Sequence, residues 1–137
     1  MKKIYWLGIL MISSVFCFSC LNDERVDNVY YSVTPIDSVQ IGAVNRVGEL
    51  TEIKTFYTRQ NSCEDFFDYD YFAFDTERRV TVVTVTVKSD QCEAVQEADA
   101  WVLKFIPQHS GEYHFKFWNG NDENNKPIYL EEIINIQ

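Results

Sequence analysis

Cys63 and Cys92 lie 29 residues apart, in the contexts "QNSC" and "SDQC". Two thiols so placed either oxidise to a disulfide or contribute to a metal site. A zinc site needs further ligands, and the only histidines, His109 and His114, are distant in sequence and not at a zinc spacing, so a disulfide is expected. The acidic run Glu64, Asp65, Asp68, Asp70, Asp75 and Glu77 offers the hard oxygens calcium takes. Asp68 and Asp70 are the candidate ligands there, and Asp122 and Glu123 form a second candidate pair. Asp68 and Asp70 alternate with aromatics as on the solvent face of a strand, and no glycine-bearing ligand loop accompanies them. No metal is therefore expected. His109 beside Ser110 suggests a base and a nucleophile, but adjacent residues in a turn rarely face each other, and no third group is identifiable. The chain has no phosphate loop, nucleophile elbow or dinucleotide fingerprint. Neither catalysis nor a cofactor is expected.

These side chains sit in a chain that reads as β-structure from residue 29 onward. Short runs of apolar alternation are separated by polar turns, without helical periodicity or repeats. "VYYSV" (29–33) ends at Pro35. "SVQIGAV" carries Val39, Ile41 and Ala43 on one face, and "LTEIKTFYT" places Ile53 and Tyr57 in phase. "FFDYDYFAF" sets Phe67, Tyr69 and Tyr71 against Asp68 and Asp70. "RVTVVTVTV" puts Val83, Val85 and Val87 on one face. "WVLKFI" aims Trp101, Leu103 and Phe105 inward, and "EYHFKFW" does the same for Tyr113, Phe115 and Phe117, with His114 and Lys116 outward. "IYLEEIINI" closes the domain.

Seven or eight strands in about 110 residues have the size of an immunoglobulin-like antiparallel β-sandwich. Strands near 66–75 and 79–88 would form a hairpin with Cys63 and Cys92 at its open end, within reach of each other. Tyr113 stands two residues before an inward core position. That is the place of the tyrosine whose hydroxyl bonds back to the preceding corner, and Phe115 replaces the cysteine of antibody domains. Asn119-Gly120 is a strong turn dipeptide, so "WNGNDENNKP" (118–127) is expected as an exposed loop.

The N-terminus sets the compartment. Lys2 and Lys3 precede an apolar run of 15 residues (4–18), too short to span a bilayer comfortably, which marks residues 1–19 as a signal peptide. Ser19 then precedes Cys20, as a small residue precedes the lipidated cysteine of bacterial lipoproteins. Cys17 and Phe18 fit the two preceding positions poorly, and ordinary secretory cleavage is the rival. Cysteine parity favours lipidation. With Cys17 removed, acylation of Cys20 leaves Cys63 and Cys92 to pair with no odd thiol in an oxidising compartment. The expected partner is thus the membrane, through a lipid anchor at Cys20. Residues 20–28 form the tether, whose eight residues after Cys20 span about 26–29 Å when extended. The domain proper is 29–137.

Loss of Lys2 and Lys3 leaves 10 basic against 21 acidic residues, a net charge of −11. That repels nucleic acid and anionic lipid. Aromatics make up 15% of the chain, more than a small sandwich core needs, and "DFFDYDYF" carries them on both faces. Such residues suit a protein or glycan partner, although coverage of both faces by the fold itself is the favoured expectation.

The segment from Cys63 to Leu130 resembles a group of uncharacterised Bacteroidota lipoproteins. The resemblance rests on "YTRQNSC" (57–63), "RRVTVVTVTV" (78–87), "DQC" (90–92) and "SGEYHFKFWNGNDENNKPIYLE" (110–131), and covers most of the mature chain. "LNDE" after Cys20 is similar to the surface-export signal of such lipoproteins, with Asn22 where that pattern more often has Lys or Gln. The resemblance implies an outer-membrane, lipid-anchored protein, possible exposure at the cell surface, and no known activity. The expected role is a non-catalytic binding or structural module of the envelope. The alternatives are a glycan- or nutrient-capture accessory of an outer-membrane uptake system and, last, an enzyme. Loops at 60–65, 89–98 and 118–127, or the sheet faces, would carry the binding.

Overall fold

The computed structural model describes residues 28–137; the expected signal peptide, Cys20 and the expected tether up to residue 27 lie outside the described residues. Eight strands follow one another: β1 (Val29–Thr34), β2 (Ile36–Ile41), β3 (Thr51–Asn61), β4 (Glu64–Phe74), β5 (Glu77–Val87), β6 (Ala94–Phe105), β7 (Gly111–Asn121) and β8 (Pro127–Ile136). They form two sheets, β2-β3-β6 and a five-stranded sheet of β1, β4, β5, β7 and β8. The expected all-β sandwich is what the chain adopts.

β5 organises the larger sheet. β4 lies along one side of it, antiparallel, from the tight turn at Asp75 to Thr86. The other side is shared: β1 pairs antiparallel with Val82–Val87, and β7 pairs parallel with Glu77–Val80. β8 then pairs antiparallel with β7. An immunoglobulin sandwich has antiparallel sheets throughout. The parallel β5–β7 pair departs from that, so the sandwich holds but the immunoglobulin topology does not follow from strand number. The chain passes from the larger sheet to the smaller at Pro35, which cannot donate to a ladder and so marks the break.

The core lies between the sheets. Ile36, Ile53, Tyr57, Leu103 and Phe105 of the smaller sheet meet Val80, Val82, Tyr113, Phe115, Phe117, Ile134 and Ile136 of the larger. Alternation along β3, β6 and β7 places these residues as read from the sequence, except that Trp101, in phase with Leu103, is 47% exposed at the sandwich margin. The corner before β7 is closed by Tyr113. Its hydroxyl accepts from the Gln108 and His109 amides and donates to the His109 carbonyl, each at 3.2 Å.

β5 is the informative surprise. Val83, Val85 and Val87 do share a face, but it is the outer one; Arg78, Val80, Val82, Thr84 and Thr86 face inward and are buried. The phase changes at Val82-Val83, where valine occupies both faces. Thr84 is tolerated inside because its hydroxyl bonds that of Thr34 at 3.0 Å, and Thr34 in turn donates to a buried Glu64 carboxylate oxygen at 3.1 Å.

Two further expectations are corrected. Phe67 does not share a face with Tyr69 and Tyr71. A β-bulge between Phe66 and Asp68 inserts one residue, so Phe66 and Tyr69 turn inward while Phe67 turns out. Residues 118–127 are not all loop. β7 runs to Asn121, and Asn119-Gly120 is an irregularity within the strand rather than its turn. Asn119 donates from Nδ2 to the Ile36 carbonyl at 2.8 Å, tying the strand to the sheet crossing. The turn itself is built by Asp122, whose carboxylate accepts from the Asn124 and Lys126 amides at 2.8 Å each.

Candidate functional site

The ladder registers lay out the outer face of the larger sheet in rows. At one end Val87 pairs with Val29. Next, Asp65, Val85 and Tyr31 cross β4, β5 and β1, followed by Asp68, Val83 and Val33, with bulged Phe67 between these rows. Tyr31 and Phe67 meet edge to face with ring centroids 4.7 Å apart, bridging over the β5 valines. Tyr31, Val33, Phe67 and Val87 are each more than half exposed. The result is a flat apolar field, with Asp65, Asp68 and Asp70 along its β4 border. The expectation that the fold covers both aromatic faces fails here, because no element of the described chain lies over this sheet.

Further along the same face the chemistry turns ionic. Phe72, Arg79, Lys116 and Glu131 form one row, and Phe74, Glu77, His114 and Ile133 the next. Lys116 Nζ donates to Glu77 at 2.9 Å, and Arg79 lies 3.2 Å from the same carboxylate while its guanidinium covers Phe72. The hydrogen bond from Lys116 holds the Glu77 carboxyl below the usual carboxylate range, and Lys116 is raised in return. These are solvated pairs, so the ionic half of the face is balanced, while on the border of the apolar half Asp68 and Asp70 have no cationic partner among the described residues and Asp65 has only Arg59 at 3.9 Å.

The disulfide forms as expected between Cys63 and Cys92, with Cα atoms 5.5 Å apart. It joins the β3–β4 turn to the β5–β6 connection at the open end of the β4–β5 hairpin, beside the Val87–Val29 row. Ser62 and Glu93 reinforce the junction with two hydrogen bonds at 2.9 Å. The apolar field therefore begins at a crosslinked, rigid end of the sheet.

No family model, curated protein or solved structure matches the chain.

The remaining candidates are dispersed. Asp68 and Asp70 lie on the outer face, and Asp68 accepts from the Tyr69 amide. Asp122 serves its turn and Glu123 is exposed beside it. Among the described residues no three His, Cys, Asp or Glu side chains are grouped to hold a metal ion. The His109 ring lies tilted at 31° to that of Tyr113 with centroids 5.3 Å apart, and Ser110 is exposed and makes no hydrogen bond to it. His114 is exposed on the outer face as read.

Tyr57 and Arg59 serve structure. Tyr57, fully buried, donates its hydroxyl to Asp99 at 3.1 Å; burial, with the Asp99 charge next, drives its pKa well upward. Arg59 gathers Glu97 at 2.6 Å, Asp99 at 3.7 Å and Asp65 at 3.9 Å. Burial also raises the pKa of Tyr69 and of Tyr71. The expected binding loops shrink on inspection, since Ala94–Ala98 and Trp118–Asn121 belong to strands. Tyr31 and Val33 were not singled out by sequence. Only the β1–β5 register, joining residues about fifty positions apart, places them beside Phe67 and the valines.

Proposed function

We propose that this protein is a non-catalytic, lipid-anchored module of the outer membrane, acylated at Cys20, that docks a protein partner on the outer face of its larger sheet. The observation that supports this most is the exposed field of Tyr31, Val33, Phe67 and Val87. A flat, apolar, crosslinked surface with aromatic anchors suits a protein interface. The bordering Asp65, Asp68 and Asp70 define the chemistry of the occupant: an apolar centre with a basic rim on the β4 side. The tether joins β1 directly, so the face stands within about 30 Å of the anchor. The resemblance of its sequence to Bacteroidota lipoproteins and the charged stretch after Cys20 support placement at the cell surface.

The test uses the full chain in living cells. A photo-crosslinking residue at Phe67 or Val33 should capture one discrete protein, with capture reduced by Asp65→Lys and Asp68→Lys together. The same probe at Glu123 should not capture it. Equal capture from Glu123, or none from Phe67, sinks the docking reading. Independently, Cys20→Ala should release the protein from membranes; if it stays bound, the anchor is wrong.

Capture of a glycan is the second reading. It is favoured by Trp101, which stacks on Phe66 with centroids 4.6 Å apart and remains 47% exposed as a single platform at the sandwich margin. Loss of glycan retention on Trp101→Ala would support it over the protein interface.

A further inference from the structure

The margin where the β4 edge faces the β6 edge holds a second feature, on the inner side of β4 and separate from the apolar field. Phe66 of β4 stacks against Trp101 of β6 there. Further along, a cleft of about 280 Å³ opens between the sheets, lined by Tyr71, Ala73, Arg78, Leu103, Phe105 and Ile106, with the exposed Lys104 at its rim.

Arg78 is the residue of interest. It is only 7% exposed, and among the described residues no carboxylate pairs with it. In a chain so rich in acids this is conspicuous: Arg59, no better placed, has three within reach. Buried charge without a partner is costly, so the surroundings must explain why this one persists. Part of the explanation is aromatic. The guanidinium lies 4.9 Å from the Tyr113 ring centroid and 5.9 Å from that of Phe105, the geometry of a cation over π-faces. Another part is the turn at Asp75, where Nη1 donates to the carbonyls of Asp75 at 2.7 Å and Glu77 at 2.8 Å.

Counting the donors shows what remains. A guanidinium has five N–H groups, and Nη1 supplies two. The three on Nε and Nη2 meet no carbonyl or carboxylate among the described residues; the one side-chain acceptor beside the guanidinium is the Tyr71 hydroxyl, which can take only one of them. Nor are those atoms sealed from solvent; among the described residues the one sealed side-chain nitrogen or oxygen without a partner is Arg59 Nε. The Nε/Nη2 edge is the fork that takes a carboxylate through two parallel hydrogen bonds. The turn carbonyls grip the opposite corner, so the fork is held in place before any ligand arrives. The Tyr71 hydroxyl sits within the field of the same charge, and Leu103, Phe105 and Ala73 provide apolar wall.

We propose that this cleft is a binding site for a carboxylate attached to a small apolar body, received by the Nε/Nη2 edge of Arg78. The carboxylate fulfils the idle donors and neutralises the charge, while the apolar body covers Leu103 and Phe105. An acidic protein would otherwise repel such ligands. Among the described residues, Arg78 is the one buried cation without an acid, and it supplies the local exception.

The test is an NMR titration of the isotope-labelled full-length chain with benzoate, and with benzamide as the uncharged isostere. Benzoate should move the amide signals of Tyr71, Arg78, Leu103 and Phe105, saturably at millimolar concentration. Benzamide should leave them unmoved. Arg78→Lys keeps the charge but loses the fork and should weaken benzoate about tenfold or more. Where that variant does not fold, the wild-type pair of probes still decides. Equal responses to benzoate and benzamide, no response at about 20 mM benzoate, which is several times the expected dissociation constant, or shifts confined to lysines away from the cleft each overturn the assignment.

Discussion

Tyr31 and Phe67 meet edge to face at 4.7 Å although one belongs to β1 and the other to β4, with β5 running between them. The contact exists because the bulge at Phe67 rotates that side chain out of the core and onto the solvent side of the valines. It holds together a surface, so its energetic weight differs from that of the core aromatics. An aromatic pair contributes about 0.5–1.5 kcal/mol beyond its burial. Phe67→Ser is therefore expected to lower unfolding free energy by about 1 kcal/mol, against about 3–5 kcal/mol for Phe115→Ala in the interior. Urea denaturation of the two variants compares them directly. Equal losses would mean that Phe67 is a core residue and that the field is not a free surface.

The disulfide closes a loop of about thirty residues around the β4–β5 hairpin, worth roughly 3–4 kcal/mol on the chain-entropy model. Replacing Cys63 and Cys92 together by Ala should lower the thermal midpoint by about 10–20 °C. The fold should otherwise be retained, because the hairpin is paired along its length. A midpoint unchanged by the double substitution, followed by circular dichroism, would show that the crosslink is incidental to stability.

The fold and the crosslink were legible because they depend on local pattern: alternating strands, a hairpin of matched lengths, and cysteines at its open end. Tyr113 was legible for a similar reason, since its hydroxyl reaches only four and five residues back. The apolar field was not. Which face of "VTVVTVTV" is buried depends on β1 packing from far away in sequence and on threonine hydroxyls finding partners inside. Alternation alone put Val83, Val85 and Val87 on one face without saying which. The Phe67 bulge was hidden because one inserted residue reverses the phase without changing composition. Arg78 drew no notice because an arginine between Glu77 and Arg79 reads as part of a solvated charged run at the start of a strand; its free donors emerge only when each hydrogen bond is counted.

Tyr113 anchors the corner with three hydrogen bonds at its hydroxyl. Tyr113→Phe keeps the ring and strips the Gln108 and His109 amides of their acceptor, a loss of about 1–3 kcal/mol. Tyr129→Phe is the matched control, since the Tyr129 hydroxyl makes no hydrogen bond among the described residues, and it should cost almost nothing. Chemical denaturation ranks the pair; similar losses would remove the corner's special standing.

The outer-face ion pairs make a pH prediction with a definite sign. Glu77 titrates below its ordinary value of 4.5 because Lys116 donates to its carboxylate, with Arg79 adding to the effect. A depressed folded pKa contributes stability that is present above the unfolded value and lost as pH falls through the folded one. Lys116→Gln should therefore move the Glu77 midpoint back up toward 4.5, read by NMR titration of its side-chain carbonyl. Added salt should shrink the difference, as both groups reach solvent. A Glu77 midpoint unmoved by the substitution would show that Lys116 is not its partner in solution.

Asn119 and Gly120 make the last prediction, because they act as a unit at the sheet crossing. Gly120 sits at φ +106°, where an L side chain is strained whatever the space. Space is in fact available: an added Cβ would meet only Pro35 Cγ, at 3.9 Å. Gly120→Ala should therefore cost about 1–3 kcal/mol through backbone strain rather than collision. Relieving that strain requires the backbone to rotate, which withdraws the Asn119 amide from the Ile36 carbonyl 2.8 Å away. Asn119→Ala alone should cost about 1 kcal/mol for the same lost bond. The two losses thus overlap, and the double variant should be destabilised by less than their sum. A strictly additive double-mutant cycle would show that the glycine's conformation and the bond to β2 are independent, and that the irregularity in β7 does not hold the crossing.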